Sequence, residues 1–139
     1  ISHIYHQRML EVRSLDTAQQ IEKYINDNIA WDLSIEHLCA HFSISRAELY
    51  QLFHTNFNAS VADYIRSKRI AMAEQLIRTT SMQISEIAAN VGFFDYNYFS
   101  KVFHRKFGVS PREYRKRLED NGTGQEKTAE QGKSNTKKA

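Results

Sequence analysis

Val91-Gly92-Phe93-Phe94-Asp95-Tyr96-Asn97-Tyr98-Phe99-Ser100-Lys101-Val102-Phe103 decides how this chain folds. Gly92 lies where a left-handed backbone costs least. Asp95 is a helix N-cap residue, its carboxylate suited to the unpaired amides of a first turn. Phe99, Val102, Phe103 and Phe107 then recur at helical spacing and mark one buried face. Before the glycine, Gln83 to Asn90 reads as a short helix carrying Ile87 and Ala89. A short helix, a tight turn and a longer helix make up the helix-turn-helix, whose second helix enters the major groove of DNA.

The same plan occurs once before. Leu38, Ala40 and Phe42 match Ile87, Ala89 and Val91 at an offset of 49. Past the turn the offset becomes 50: Ser45, Leu49, Phe53 and Phe57 match Asp95, Phe99, Phe103 and Phe107, and Ser60 and Tyr64 match Ser110 and Tyr114. The second turn thus holds one extra residue. Two copies are too few for a solenoid, so each is expected to be a small helical unit. The first turn, Phe42-Ser43-Ile44, has Ser43 where the second has glycine, which predicts some backbone strain.

Working outward, the chain is expected to be all-α, with two helix-turn-helix subdomains joined by a long linker helix. Only one proline, Pro111, occurs in its 139 residues. Helices are predicted over Asp16–Ala30, Ser34–His41, Ser45–Phe57, Ser60–Thr79, Gln83–Asn90, Asp95–Phe107 and Ser110–Leu118. Asp16 with Gln19, Ser45 with Glu48, and Ser110 with Pro111 and Glu113 supply start signals. Residues 1–15 read as a linker or the end of an upstream domain, with a helix over Ile1–Arg13 left open by Ile4, Met9 and Val12 on one apolar side, 16–59 as the first unit, 60–80 as the connecting helix and 81–118 as the second unit. Residues 119–139 hold three of the five glycines and no large apolar side chain, so a disordered tail is expected there. The chain opens on Ile1 rather than methionine, from which a preceding segment is expected.

Charge is distributed unevenly. Residues 1–50 carry four Lys/Arg against seven Asp/Glu, residues 51–118 eleven against five, and the remainder four of each. A domain that lays one face on phosphate needs this asymmetry more than a large total, which here is +3. No apolar run approaches the roughly 18 residues of a membrane span, and no secretory signal is present. With a single cysteine, Cys39, no internal disulfide forms, which fits a cytoplasmic setting.

The second helix of each unit leaves polar side chains off its buried face near its start. These are Arg46, Ala47, Tyr50 and Gln51 in the first, and Tyr96, Asn97, Ser100 and Lys101 in the second. Gln and Asn suit adenine, Arg and Lys suit guanine, and Tyr and Ala touch thymine methyls, so these eight are the candidate base readers. Arg66, Arg105, Lys106, Arg112 and Arg115 are the candidate phosphate contacts. The phenylalanines, Tyr64 and Tyr114 are read as core because they pair between copies. His37 and His41 lie four apart with Cys39 between them, but no third ligand stands nearby, so no metal is expected. No phosphate-binding loop, paired carboxylates or nucleophile–base constellation is visible, and neither enzyme activity nor a cofactor is expected.

Leu33 to Arg117 resembles the DNA-binding domain of AraC/XylS-type transcription regulators. The resemblance rests on Gly92-Phe93-Phe94-Asp95, Tyr98-Phe99-Ser100-Lys101-Val102-Phe103, Phe107-Gly108-Val109-Ser110-Pro111 and Tyr114-Arg115, with Leu49-Tyr50-Gln51-Leu52-Phe53 and Tyr64-Ile65-Arg66 in the first copy. It implies a bilobed helical fold whose linker helix lets both recognition helices enter successive major grooves, about 34 Å apart. It also implies double-stranded DNA as partner, activation through RNA polymerase, and an N-terminal sensing or dimerising domain. This sequence departs from the family at Ser43, often glycine, and at acidic Glu48 in the first recognition helix.

Two other readings stand beside this one. The acidic first half and Glu48 fit a helical protein-interaction module that has lost DNA binding. Only His37, Cys39 and His41 support a small enzyme. The basic second half makes the second unit the expected phosphate anchor, and the first the more discriminating or more weakly bound one.

Overall fold

The computed structural model describes residues 2–122. The tail reading for 123–139 lies outside the described residues. Among the described residues every regular element is a helix: α1 (Ser2–Asp27), α2 (Ile35–Phe42), α3 (Arg46–Phe57), α4 (Val61–Thr79), α5 (Ile84–Asn90), α6 (Tyr96–Phe107) and α7 (111–122). The all-α expectation holds. Two boundaries differ by four residues or more. α1 runs unbroken through Asp16, so the cap expected from Asp16 and Gln19 is not used. With no proline or glycine between Ser2 and Asp27, nothing turns the chain out of helix ahead of Asp16. At the other end α7 continues to 122, beyond the Leu118 boundary and into the stretch expected to be disordered.

Apart from α5, whose N-cap Gln83 makes no side-chain cap bond, the other starts follow from side-chain chemistry. Ser34, Ser45, Ser60 and Ser110 accept hydrogen bonds through Oγ from the amides of His37 (3.2 Å), Glu48 (3.1 Å), Asp63 (3.1 Å) and Glu113 (3.1 Å). Asp95 Oδ1 accepts from Asn97 N at 2.9 Å and Tyr98 N at 3.3 Å. Each satisfies an amide that the first turn leaves unpaired. Both longer helices end on a left-handed residue, Asn58 (φ 50°) after α3 and Gly108 (φ 79°) after α6. Ser43 sits at φ 53°, so the first turn does hold a non-glycine residue in left-handed backbone.

Two cores form. The first gathers Ile21 and Ile25 of α1, Ile29 and Leu33 of the following loop, Leu38, Leu49, Phe53, and Val61 and Ile65 of α4. The second gathers Ile70, Ala73 and Ile77 of α4 with Ile84, Ile87, Ala88, Val91, Phe93, Phe99, Val102 and Phe103. The N-terminal part of α4 therefore closes the first core and its C-terminal part opens the second, while Met72 packs against both. Each unit is a four-helix arrangement sharing α4 with its neighbour. The repeat thus reaches further back than the sequence comparison found. Ile21, Glu22 and Ile25 on α1 play the parts of Ala73, Glu74 and Ile77 on α4. Tyr114 Oη donates to Glu74 Oε1 at 2.7 Å; its counterpart Tyr64 makes no such bond, its buried hydroxyl standing without a hydrogen-bond partner among the described residues, and its phenol is pushed up by burial and by the nearby Glu22 carboxylate.

Candidate nucleic-acid interface

The eight proposed base readers occupy the same four positions in both copies. Arg46, Ala47, Tyr50 and Gln51 on α3 correspond at an offset of 50 to Tyr96, Asn97, Ser100 and Lys101 on α6. On α3 all four are exposed. Gln51 Nε2 donates to Thr55 Oγ1 at 2.9 Å, one turn along the same outer face. Arg46 is ion-paired with Glu36 of α2. The Glu36 carboxyl is held below its usual range by a backbone hydrogen bond at its own residue and then by Arg46. Both partners are well exposed, so the pair is weak.

On α6, Asn97 and Lys101 are exposed, but Tyr96 and Ser100 are half-buried. Tyr96 packs against the second core with its ring 6.1 Å from that of Phe99. The expectation that Tyr96 and Ser100 lie clear of the buried face is therefore corrected: only part of each remains open. They stand one turn apart, next to the stripe formed by Phe99 and Phe103.

The proposed phosphate contacts divide. Arg105, Lys106 and Arg112 are exposed. Arg105 and Lys106 line a cleft of about 220 Å³ between α4 and α6 together with Arg66, Ser67, Ile70 and Val102. Arg66 donates to Asp63 Oδ1 at 2.9 Å on the exposed side of α4. Arg115 does something else. Its guanidinium reaches the end of α4, donating through Nη1 to the Met82 carbonyl and through Nη2 to those of Thr80 (3.2 Å) and Ile77 (3.4 Å). Carbonyls at a helix C-terminus lack intrahelical donors and attract a cation. Arg115 is thus engaged in closing the second unit, contrary to its expected place on phosphate.

Sequence reasoning missed three residues. Phe94, directly before the cap of α6, is 88% exposed, and Tyr98 beside it is 47% exposed. The signal available was a hydrophobic residue at the position preceding an N-cap; its usual packing partner four helical positions on is Phe99, which is wholly buried. Arg69 was passed over as one more charge. Both aromatics and Arg69 line a cleft of about 410 Å³ between α4 and the second turn. The histidines are accounted for by packing: Tyr24 Oη lies 2.6 Å from His37 Nε2, and the Tyr24 and His41 rings are 4.1 Å apart. Among the described residues, no three His, Cys, Asp or Glu come together as a metal site would require. Among the same residues no helix is long and apolar enough to cross a membrane.

Two capped second helices, each with a buried aromatic stripe and a polar face near its start, define a tandem helix-turn-helix DNA-binding domain. Residues 38–117 match the helix-turn-helix domain family, and the chain belongs to the AraC/XylS-type transcription regulators, a family of DNA-binding proteins rather than enzymes. It is 38% identical over 100 residues to the HTH-type transcriptional activator RhaR of Cronobacter sakazakii, covering 72% of this chain and 35% of that protein. It is 32% identical over 102 residues to the Msm operon regulatory protein of Streptococcus mutans, covering 73% and 37%. The chain therefore spans little more than a third of these relatives. Among solved structures, the C-terminal domain of the two-component response regulator yesN from Fusobacterium nucleatum superposes with a TM-score of 0.67 at 30% identity, covering 72% of this chain and 98% of that one. The DNA-binding domain of AdpA, solved with a target DNA, shares the fold with a TM-score of 0.71 at 20% identity, covering 75% and 94%.

Proposed function

We propose that this chain is the DNA-reading part of a transcription activator and that it engages two segments of one duplex through α3 and α6. The observation that carries the reading is the repeat of four positions at the start of both second helices, where Gln51 and Asn97 lie exposed off the core. In this reading Arg46, Ala47, Tyr50 and Gln51 meet one segment, and Asn97 and Lys101, with the open parts of Tyr96 and Ser100, meet the other. Arg66, Arg105, Lys106 and Arg112 meet phosphates. The names of the RhaR relatives support activation, with RNA polymerase as the second partner and a separate sensing or dimerising domain elsewhere in the whole protein.

The test is selection of duplexes from a random library, followed by titration with variants. The expected product is a motif of two segments about one helical turn apart. Asn97→Ala and Gln51→Ala should each weaken the selected site by about 1–3 kcal/mol and relax preference at one position. If no motif is enriched, the chain is a protein-interaction module instead, a reading to which the Glu36–Arg46 pair and acidic Glu48 would then belong. If a motif appears but neither variant changes it, the residue assignment fails.

A further inference from the structure

The joint between the two units is built around one arginine. Arg69 follows Ile65, the last buried residue α4 gives to the first core, and precedes Ile70, the first buried one it gives to the second. Its half-buried guanidinium donates through Nε to the Ile29 carbonyl at 3.2 Å and through Nη2 to the Trp31 carbonyl at 3.0 Å. Those carbonyls lie just past the end of α1, where helical amides no longer serve as donors. The turn of the second unit closes the other side. A Cβ added to Gly92 would stand 2.6 Å from the Ile29 oxygen and 2.7 Å from Arg69 Nε. Backbone of the first unit, a side chain of the shared helix and the turn of the second unit therefore meet with no room for a methyl group.

Arg115 offers the comparison. It reaches back from α7 to the carbonyls following α4, as Arg69 reaches back from α4 to those following α1. In each unit an arginine of the closing helix seals the end of the opening helix. The difference is what lies against the seal: at Arg69 it is the other unit.

We propose that Arg69 is a positioning residue that locks the two helix-turn-helix units in one relative orientation, with Gly92 as the surface it locks against, and so fixes the spacing between the DNA segments they read. The spacing claim rests on the two-unit reading above; the lock itself does not. A rigid joint spares the second contact the ordering cost it would otherwise meet.

Two measurements test this. Spin labels at His54→Cys and His104→Cys, in a Cys39→Ser background without DNA, report the distance between α3 and α6. A single narrow distribution is expected, broadened about twofold or more by Arg69→Met and less by Arg69→Lys, which keeps a donor for one carbonyl. Far-UV circular dichroism checks that each variant is folded; if Arg69→Met is not, Arg69→Lys and Arg69→Gln carry the comparison. Unchanged widths in the folded variants overturn the lock. The second measurement titrates duplexes whose two segments are about 9 to 12 base pairs apart, centre to centre. The unsubstituted protein should prefer one spacing by about tenfold, and Arg69→Met should bind all within about threefold. A broadened distribution with an unchanged spacing preference overturns the link to spacing. A footprint covering one segment only overturns the two-unit reading and the spacing claim with it, while the label distances still decide the lock.

Discussion

Arg115→Ala separates a structural arginine from a DNA-binding one. The side chain makes three contacts with carbonyls in the last turn of α4 and just past it, two of them at 3.2 and 3.4 Å from the same nitrogen. Hydrogen bonds involving a charged group contribute about 1.5–3 kcal/mol each when well formed. The longer Nη2 contact is marginal, and the site is half-buried, so water recovers part of what is lost. A net destabilisation of about 2–3 kcal/mol follows, or roughly 10 °C in midpoint for a domain of this size. Thermal unfolding followed by circular dichroism measures it, with duplex titrations at several salt concentrations run in parallel. The expected result is a large drop in midpoint with the salt slope unchanged. A midpoint within about 2 °C of the unsubstituted protein, together with a salt slope reduced by about 0.9, would refute the assignment and put Arg115 back on phosphate.

Three further expectations follow from single features. Ser43→Gly relieves left-handed backbone at φ 53° and should stabilise the first unit by about 0.5 kcal/mol, the strain relief being partly offset by the greater freedom of an unfolded glycine; denaturant unfolding reads it, and a destabilised variant refutes the strain argument. Glu74 is held below the usual carboxylate range, chiefly by its hydrogen bond from Arg78, with Tyr114 adding to it. Its contribution is therefore present above about pH 4.3 and lost as pH falls through the lower folded value; Glu74→Gln should flatten acid unfolding in that window, and an identical acid curve would show that Glu74 contributes nothing there. Phe94→Ser should leave stability within about 0.5 kcal/mol while removing a preference for thymine at one position of the second segment; an unchanged selected motif means that Phe94 does not touch a base.

What the sequence made legible was whatever its own side chains accomplish locally. Ser45, Ser60, Asp95 and Ser110 start helices because their oxygens reach amides two or three residues away, and the apolar spacing of 99, 102, 103 and 107 survives intact in the second core. Asp16 shows the limit of that logic. A capping residue acts only where the chain arrives from non-helical backbone, and nothing before it breaks the helix. Arg69 and Arg115 were illegible for a different reason. Their partners are main-chain carbonyls more than 30 residues earlier in the chain, and a carbonyl has no sequence signature. Both arginines contribute to the positive balance of residues 51–118 while presenting their charge to the protein itself. Tyr96 was read as outward, yet in the same register it lies at the edge of the buried face beside Phe99, where its large ring packs against the core.

That sorting of charge bears on how the units share their work. Of the cations in the second half, Arg69 and Arg115 hold backbone carbonyls, while Arg66, Lys68, Arg78 and Arg117 face carboxylates. Lys101, Arg105 and Lys106 stand exposed on α6 without an ion pair among the described residues. Between Trp31 and Ser60 the sequence contains a single Lys or Arg, namely Arg46, and it is paired with Glu36. On the proposed reading, the first recognition helix therefore approaches DNA with almost no phosphate attraction of its own. A weakly attracted reader still contributes to affinity if its position is fixed when the other unit binds, because its contact is then intramolecular and its effective concentration is high. The stiffness of the joint at Arg69 and Gly92 and the charge poverty of the first unit are thus parts of one arrangement. Loosening that joint should cost affinity at the first segment far more than at the second.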